Sequence, residues 1–444
     1  MMHLMTKIYK QVVVRIILLT AIIPTARIAK AGEKDPITTF HFQQTVVTQM
    51  HPGFSAKYTG SHSLNTKSEI QTSLTTTLFS GIRIGKNTSI YFNPEIAGGA
   101  GISRATGVAG FPNGETFRIG NPAPQIYVAR LLMEQYIPLS KETRKREDGV
   151  NQLAGNIPNQ YIRLVAGRFA ISDYFDNNSV SHDPRTQFLN WSLMSNGAYD
   201  YAANTRGYTY GGVIELATKI ATIRFGAAMV PTKANQSVMD GNISKSHSYN
   251  LEIEKSWGPE NRKGVIRILA FQNNARMGNY TQAILMSSTP VIDSTSQLGR
   301  TKYGFGVNIE KQLSDLVTLF ARASWNDGKN ETWMFTEIDQ SISTGISGNG
   351  SNWKRINDVW GVAAVMNGIS KEHQNYLSAG GSGFMVGDGK LNYGREFILE
   401  LFYNAEVHDQ HFFVTPDYQF IMNPAYNKDR GPVSVFALRV QSKF

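Results

Sequence analysis

The sequence predicts an all-β protein: a transmembrane antiparallel β-barrel of about 16 strands, with long loops partly folded into its lumen. Three observations predict it. Hydrophobicity alternates with a period of two along most of the chain. A short basic and apolar leader opens the chain. The last strand alternates up to a terminal aromatic, Phe444. Composition agrees. Charged residues are 18% of the 444, below the roughly 25% of a soluble protein. Past the leader there is no run of about 18 apolar residues, which excludes a helical membrane protein. Cys is 0, which excludes a disulfide scaffold, a Cys-ligated metal centre and a cysteine nucleophile.

The leader comes first. Residues 1–31 hold Lys7, Lys10, Arg15, Arg27 and Lys30 and no acid. An apolar run follows from Ile16 to Ile23, and Ala29-Lys30-Ala31 precedes Gly32 as a small-residue cleavage site. The run is far shorter than the ~20 residues of a spanning helix. The chain therefore divides into a signal peptide, 1–31, and an outer-membrane barrel domain, 32–444. Setting the five leader bases aside lowers the formal charge from +10 to +5. The basic balance then gives no reason to expect a nucleic-acid partner.

Candidate strands follow in order at 38–48, 68–84, 88–97, 124–139, 158–169, 207–218, 220–230 and 246–257. The series continues at 263–274, 300–312, 315–326, 331–344, 356–368, 394–408, 410–422 and 433–444. The strand over 246–257 shows the pattern. Tyr249, Leu251, Ile253 and Trp257 share one face; Asn250, Glu252, Glu254 and Ser256 share the other. Tyr249 and Trp257 stand roughly 26 Å apart along a strand. With a tilt of ~40° that is about 20 Å of height, the apolar band of an outer-membrane barrel with an aromatic at each rim. Phe397, Leu399, Leu401 and Tyr403 repeat the pattern against Glu396, Glu400 and Asn404.

Connections alternate between tight and long. Gly85-Lys86-Asn87, Pro259-Glu260-Asn261 and Asp409-Gln410 are tight, whereas 98–123, 170–206, 275–299 and 369–393 are long. Short turns at one rim and long loops at the other are the habit of a barrel in lipid. Alternation alone does not separate lipid from a soluble sandwich; the leader, the aromatic spacing, the strand number and the last strand favour outer-membrane lipid. That last strand, Ser434 to Phe444, puts Phe436, Leu438, Val440 and Phe444 on one face. It resembles the terminal strand through which barrel-assembly machinery recognises its clients.

The loops carry a series of motifs. In order they are Tyr91-Phe92-Asn93-Pro94-Glu95, Gly110-Phe111-Pro112-Asn113-Gly114-Glu115 and Asn151-Gln152-Leu153-Ala154-Gly155. Gly167-Arg168-Phe169 and His182-Asp183-Pro184-Arg185-Thr186-Gln187-Phe188-Leu189-Asn190-Trp191 come next. Gly197-Ala198-Tyr199-Asp200-Tyr201 and Arg206-Gly207-Tyr208 follow. Late in the chain are Gly387-Asp388-Gly389-Lys390-Leu391, Asn423-Pro424-Ala425-Tyr426-Asn427 and Asp429-Arg430-Gly431-Pro432-Val433. The series resembles the carbohydrate-selective porin family (OprB type) over essentially the whole mature chain, departing most at 232–247 and 275–300. The resemblance implies a sixteen-stranded outer-membrane barrel that passes mono- or oligosaccharides passively, without a cofactor. A homotrimer is one assembly open to it.

A wide barrel needs something to narrow it, and 170–206 is the candidate. It holds Asp173, Asp176, Asp183, Arg185, Trp191, Tyr199, Asp200, Tyr201 and Arg206. Sugar C–H faces pack on aromatic rings, and sugar hydroxyls suit carboxylate acceptors and the planar guanidinium fork. The same residues would equally staple an infolded loop to the wall. On the wall, Arg130, Arg224, Arg267, Arg322, Arg439, Glu396 and Glu400 fall on lumen-facing parities. They form either opposed columns that set a transverse field or a network of wall ion pairs. A surface receptor or adhesin with a plugged lumen is the alternative function.

Catalysis finds no support. Ser181, His182 and Asp183 are consecutive, so their side chains point apart and form no triad by themselves. Asp173 and Asp176 lack the frame a glycosidase carboxylate pair requires. Gly98-Gly99-Ala100-Gly101 lacks the Lys-Ser/Thr of a phosphate loop. His408 and His411 flank Asp409 at a turn, a weak case for a metal. The basic run from Lys141 to Arg146 reads as a solvated loop.

Overall fold

The alternating segments become strands wherever one side meets polar neighbours and the other faces outward. The computed structural model describes residues 36–118 and 120–444, so the expected signal peptide lies outside the described residues. The strands are β1 (Thr38–His51), β2 (Glu69–Gly85), β3 (Thr88–Gly99), β4 (Gln125–Pro138), β5 (Thr143–Arg146) and β6 (Gly155–Pro158). Next come β7 (Tyr161–Phe169), β8 (Thr209–Ala217), β9 (Thr222–Ala228), β10 (His247–Trp257), β11 (Gly264–Ala275) and β12 (Arg300–Gln312). The last are β13 (Val317–Asn326), β14 (Gln340–Gly350), β15 (Arg355–Gly368), β16 (Glu396–His408), β17 (Phe412–Met422) and β18 (Val433–Lys443).

Every strand except β5 and β6 joins one closed antiparallel barrel of 16, in which each pairs with its neighbour in sequence. β5 and β6 form a separate hairpin. The last strand closes the ring on the first: Val440 stands opposite Val46. Phe42 and Phe444 exchange backbone hydrogen bonds of 2.9 Å each way. Closure removes the sheet edges that lipid cannot satisfy.

The faces are inverted relative to a soluble protein. Outside, Phe40 is 65% exposed, Ile126 73% and Phe305 52%. Inside, Glu252, Lys302, Glu400 and Arg439 are fully buried. An outward apolar band of this extent exceeds what a water-soluble monomer exposes, and it calls for lipid. No helix among the described residues is long and apolar enough to cross a membrane; the crossing is made by strands. The core sits within the lumen, where loop side chains such as Phe175, Phe188 and Leu193 pack on wall residues such as Phe320, Ile398 and Phe402.

One strand departs from expectation. The sequence suggests 331–344, but β14 spans Gln340–Gly350. Residues 331–339 spend their polar groups inside the barrel: Trp333 Nε1 donates to Pro231 O at 2.8 Å, and three successive amides donate to Asp200. The ladder is taken instead by a Gly/Ser-rich stretch of weak strand propensity. Gly345 fits there because a Cβ would stand 2.6 Å from the Phe320 ring and from Ala363. The basic run 141–146, expected as loop, contains β5.

Candidate functional site

The segment 170–208 connects β7 to β8 and folds into the barrel. It begins with a 3-10 turn, Ile171–Asp173, and carries the short helix α1 (Trp191–Met194). Asn190 caps α1, accepting from Ser192 N at 3.0 Å.

Charged wall groups hold this segment by its backbone. Glu252 accepts from Asp176 N and Glu310 from Ser179 N, each at 2.7 Å. Glu400 accepts from Leu189 N (2.5 Å) and Asn190 N (3.1 Å). Arg322 donates to Ser181 O (2.6 Å) and Leu193 O (2.7 Å); Arg439 donates to Pro184 O and Gln187 O, both at 2.7 Å. A buried backbone group without a partner costs roughly 1–3 kcal/mol, so these charges replace the water the loop gives up. Asp176 returns the hold, accepting from Arg322 Nε (3.2 Å), Asn308 Nδ2 (2.7 Å) and Asn196 N (2.5 Å).

Other loops are held likewise. Glu396 accepts from Ala109 N, Gly110 N and Ala425 N at 2.7–3.0 Å. Asp200 accepts from Trp333 N, Met334 N and Phe335 N at 2.8–3.1 Å. Burial pushes the Asp200 carboxyl upward, against the pull of Lys302 and these three donors.

The wall itself carries an alternating belt of ion pairs. Arg163 (β7) bridges Glu134 (β4, 3.5 Å) and Glu215 (β8, 3.3 Å). Arg224 (β9) meets Glu215 at 2.5 Å, Glu252 at 2.8 Å and Glu254 at 3.0 Å. Arg267 (β11) meets Glu254 (β10) at 2.8 Å and Glu310 (β12) at 3.1 Å. Signs thus alternate from strand to strand. Of the two arrangements open to these wall charges, the pairs here form the ion-pair network and not opposed columns, because each cross-strand neighbour neutralises the last.

Between the loops and one side of the wall lies a cavity of about 690 Å³, within the 300–1,000 Å³ range typical of small-molecule sites. Its wall side comes mainly from β1–β4 and β7. Arg185 lines it: Nη2 meets Glu95 and Nε meets Glu115, both at 3.0 Å, and Nη1 donates to Thr77 Oγ1 at 3.0 Å. Burial pushes the Glu115 carboxyl up, opposed by Arg185. Arg130 forks onto Asp173 at 2.6 and 2.7 Å. Tyr127 and Tyr208 both donate to Glu95. Arg206 lies between rings, 4.3 Å over Tyr127 and 4.6 Å over Phe117, and has no carboxylate partner among the described residues' ion pairs. Trp191 stacks on Phe335, with centroids 5.4 Å apart at 20°, and donates to Asn113 O at 2.7 Å. This arrangement offers ring faces for C–H surfaces and paired charges for hydroxyls.

The residues singled out from sequence therefore separate. Arg130, Asp173, Asp183, Arg185, Trp191, Tyr201 and Arg206 border the cavity. Asp176, Tyr199, Asp200, Arg224, Arg267, Glu396 and Glu400 are not among its lining residues; they fasten loops or form the belt. Tyr199, for example, donates to Asn250 Oδ1 at 2.7 Å. Sequence reasoning passed over Glu95, Glu115, Tyr127 and Tyr208. Glu95 and Glu115 sit inside quoted motifs, but nothing in the alternation says that one arginine, 90 and 70 residues further along, gathers both.

The family model described as "Carbohydrate-selective porin, OprB family" matches residues 61–444. The fold is similar to the high-pH structure of Pseudomonas putida OprB, with TM-score 0.69, 14% identity, and coverage of 92% of this chain and 94% of that one. The low-pH structure of the same protein gives TM-score 0.49, 11% identity, and 92% and 93% coverage. The outer membrane channel DcaP of Acinetobacter baumannii gives TM-score 0.49, 8% identity, and 92% and 97% coverage. No curated protein matches the chain.

Proposed function

Because the chain belongs to the carbohydrate-selective porin (OprB) family and is an outer-membrane porin, we propose that it passes sugars by passive, selective diffusion. The observation that carries this reading is the cavity: aromatic rings alternate with Arg–carboxylate pairs beside β1–β4. Conduction requires that each such contact be weak enough for a solute to leave. Mono- or oligosaccharides are the substrates, and the narrowing is set by Arg130, Asp173, Asp183, Arg185, Trp191, Tyr201 and Arg206. Export uses a cleaved leader, and assembly uses the terminal strand ending at Phe444.

The test is planar-bilayer recording of the purified protein with added sugars. Stepwise conductance with concentration-dependent sugar block is the expected result. Flat traces from well-inserted protein would favour the second reading, a plugged surface receptor, which draws on the loop-filled side of the lumen.

A further inference from the structure

At the short-turn rim, which is the periplasmic one, the other connections between barrel strands are brief: 86–87, 218–221, 258–263, 313–316, 351–354 and 409–411. The connection from β4 to β7 runs over 139–160 and carries the β5–β6 hairpin. Its tip turns into the barrel. Gly149 and Gln152 exchange backbone hydrogen bonds of 3.0 and 2.9 Å, which makes the tip a tight unit. Leu153 is fully buried, and its N–H donates to Tyr91 Oη at 3.3 Å. Asn93 Nδ2 donates to Asn151 Oδ1 at 2.7 Å. Arg83 holds Ala154 O at 2.5 Å, Arg146 holds Leu153 O at 3.0 Å, and His41 meets Asp148 at 3.0 Å.

Asn93 is five residues beyond the start of β3, roughly 16 Å along the wall. The tip therefore reaches well inside the lumen. Val150, Asn151 and Gln152 line the same cavity as Arg185 and Arg130. Val150 is 51% exposed although apolar, because it faces this open space. The chemistry differs from that around Arg185: the tip offers an aliphatic side chain and two amides to the cavity, while its acids Glu147 and Asp148 pair with Lys145 and with His41 of the wall and neither lines the cavity.

We propose that the tip 147–154 is a second, periplasmic constriction, one that selects the leaving solute by size and hydroxyl hydrogen bonding and not by charge. The proposal rests on the porin reading above. The native chain has no cysteine, so Val150→Cys carries a single thiol. The experiment records this variant in oriented planar bilayers with a bulky, membrane-impermeant methanethiosulfonate added to either side, the labelling confirmed by mass. Single-channel conductance should fall at least twofold, faster from the short-turn side, and recover with reductant. In liposome swelling, Val150→Trp should slow trisaccharide entry more than monosaccharide entry. Complete labelling without change in current, or equal slowing of all sugars, would overturn the proposal while unmodified channels still conduct and show sugar block. Flat current from the unmodified protein would remove the porin reading, and this proposal with it.

Discussion

The two sides of the lumen use the same residue types for opposite ends. Along β10–β18, charged wall groups point at loop backbone and are spent there: Glu400 on two amides, Arg439 on two carbonyls, Arg322 on two more. Along β1–β4 and β7, charged groups meet other side chains in direct pairs that border the cavity: Arg185 with Glu95 and Glu115, Arg130 with Asp173. The first side is a core built with ionic fasteners. The second keeps its charges at a surface. Alternation in sequence looks the same on both sides, so a lumen-facing charge is not by itself a solute contact. It becomes one only where no loop backbone arrives to claim it.

That contrast can be broken, and the largest effect belongs to the filled side. Asp176→Ala removes the acceptor for Arg322, Asn308 and Asn196 and leaves a buried guanidinium without its carboxylate. Breaking such a pair costs about 3–5 kcal/mol. Denaturant unfolding followed by gel mobility should show a loss of this size; wild-type stability would mean the fasteners are idle.

Next comes pH. Glu331, in the loop between β13 and β14, is pushed up to about 8 by burial. Folded protein therefore keeps a proton that the unfolded chain releases near its ordinary value of 4.5. The folded state binds more protons between those values, so stability falls as pH rises across that window and levels off above it. Between pH 6 and 8 the change is about 2–3 kcal/mol. Hydrogen exchange of residues 327–339 should follow this slope in the native protein and lose it in Glu331→Gln.

On the open side, Arg185→Ala strips Glu95 and Glu115 of their cation but should cost less stability than Asp176→Ala, because all three groups border the cavity, where water replaces the guanidinium. Reversal potentials should shift toward cations, conductance should rise, and sugar block should weaken by roughly tenfold, about 1.4 kcal/mol. In sugar block the smallest effect is that of Trp191→Ala, which loses one ring face beside the cavity apart from the folding cost of emptying its buried site. Block should weaken by about 1 kcal/mol, read from the same current titration. If Arg185→Ala unfolds the barrel instead, the two sides are not different in kind.

How much was legible beforehand follows from these residues. The terminal strand, the outward faces of β10, β12 and β16, and the inward parity of Arg224, Arg267 and Glu400 were readable because a strand sends alternate side chains to opposite faces. The strand over 340–350 was misplaced because Gly and Ser advertise no strand, and the residues before them are drawn inward by Asp200. Among site residues, Arg185 and Asp176 read alike: each is a charged member of the same loop with a charge of opposite sign within eight residues. Only in the folded molecule does one face the cavity while the other closes on Arg322.

By itself, then, the sequence determined the barrel, its inverted faces, and which side chains point inward, since period two is a local property of the backbone. The tertiary structure alone decided what each inward charge meets. Residues such as Asp176 and Arg322 lie 146 positions apart, and their encounter depends on the path of a loop through the lumen, a path written in no single stretch of chain.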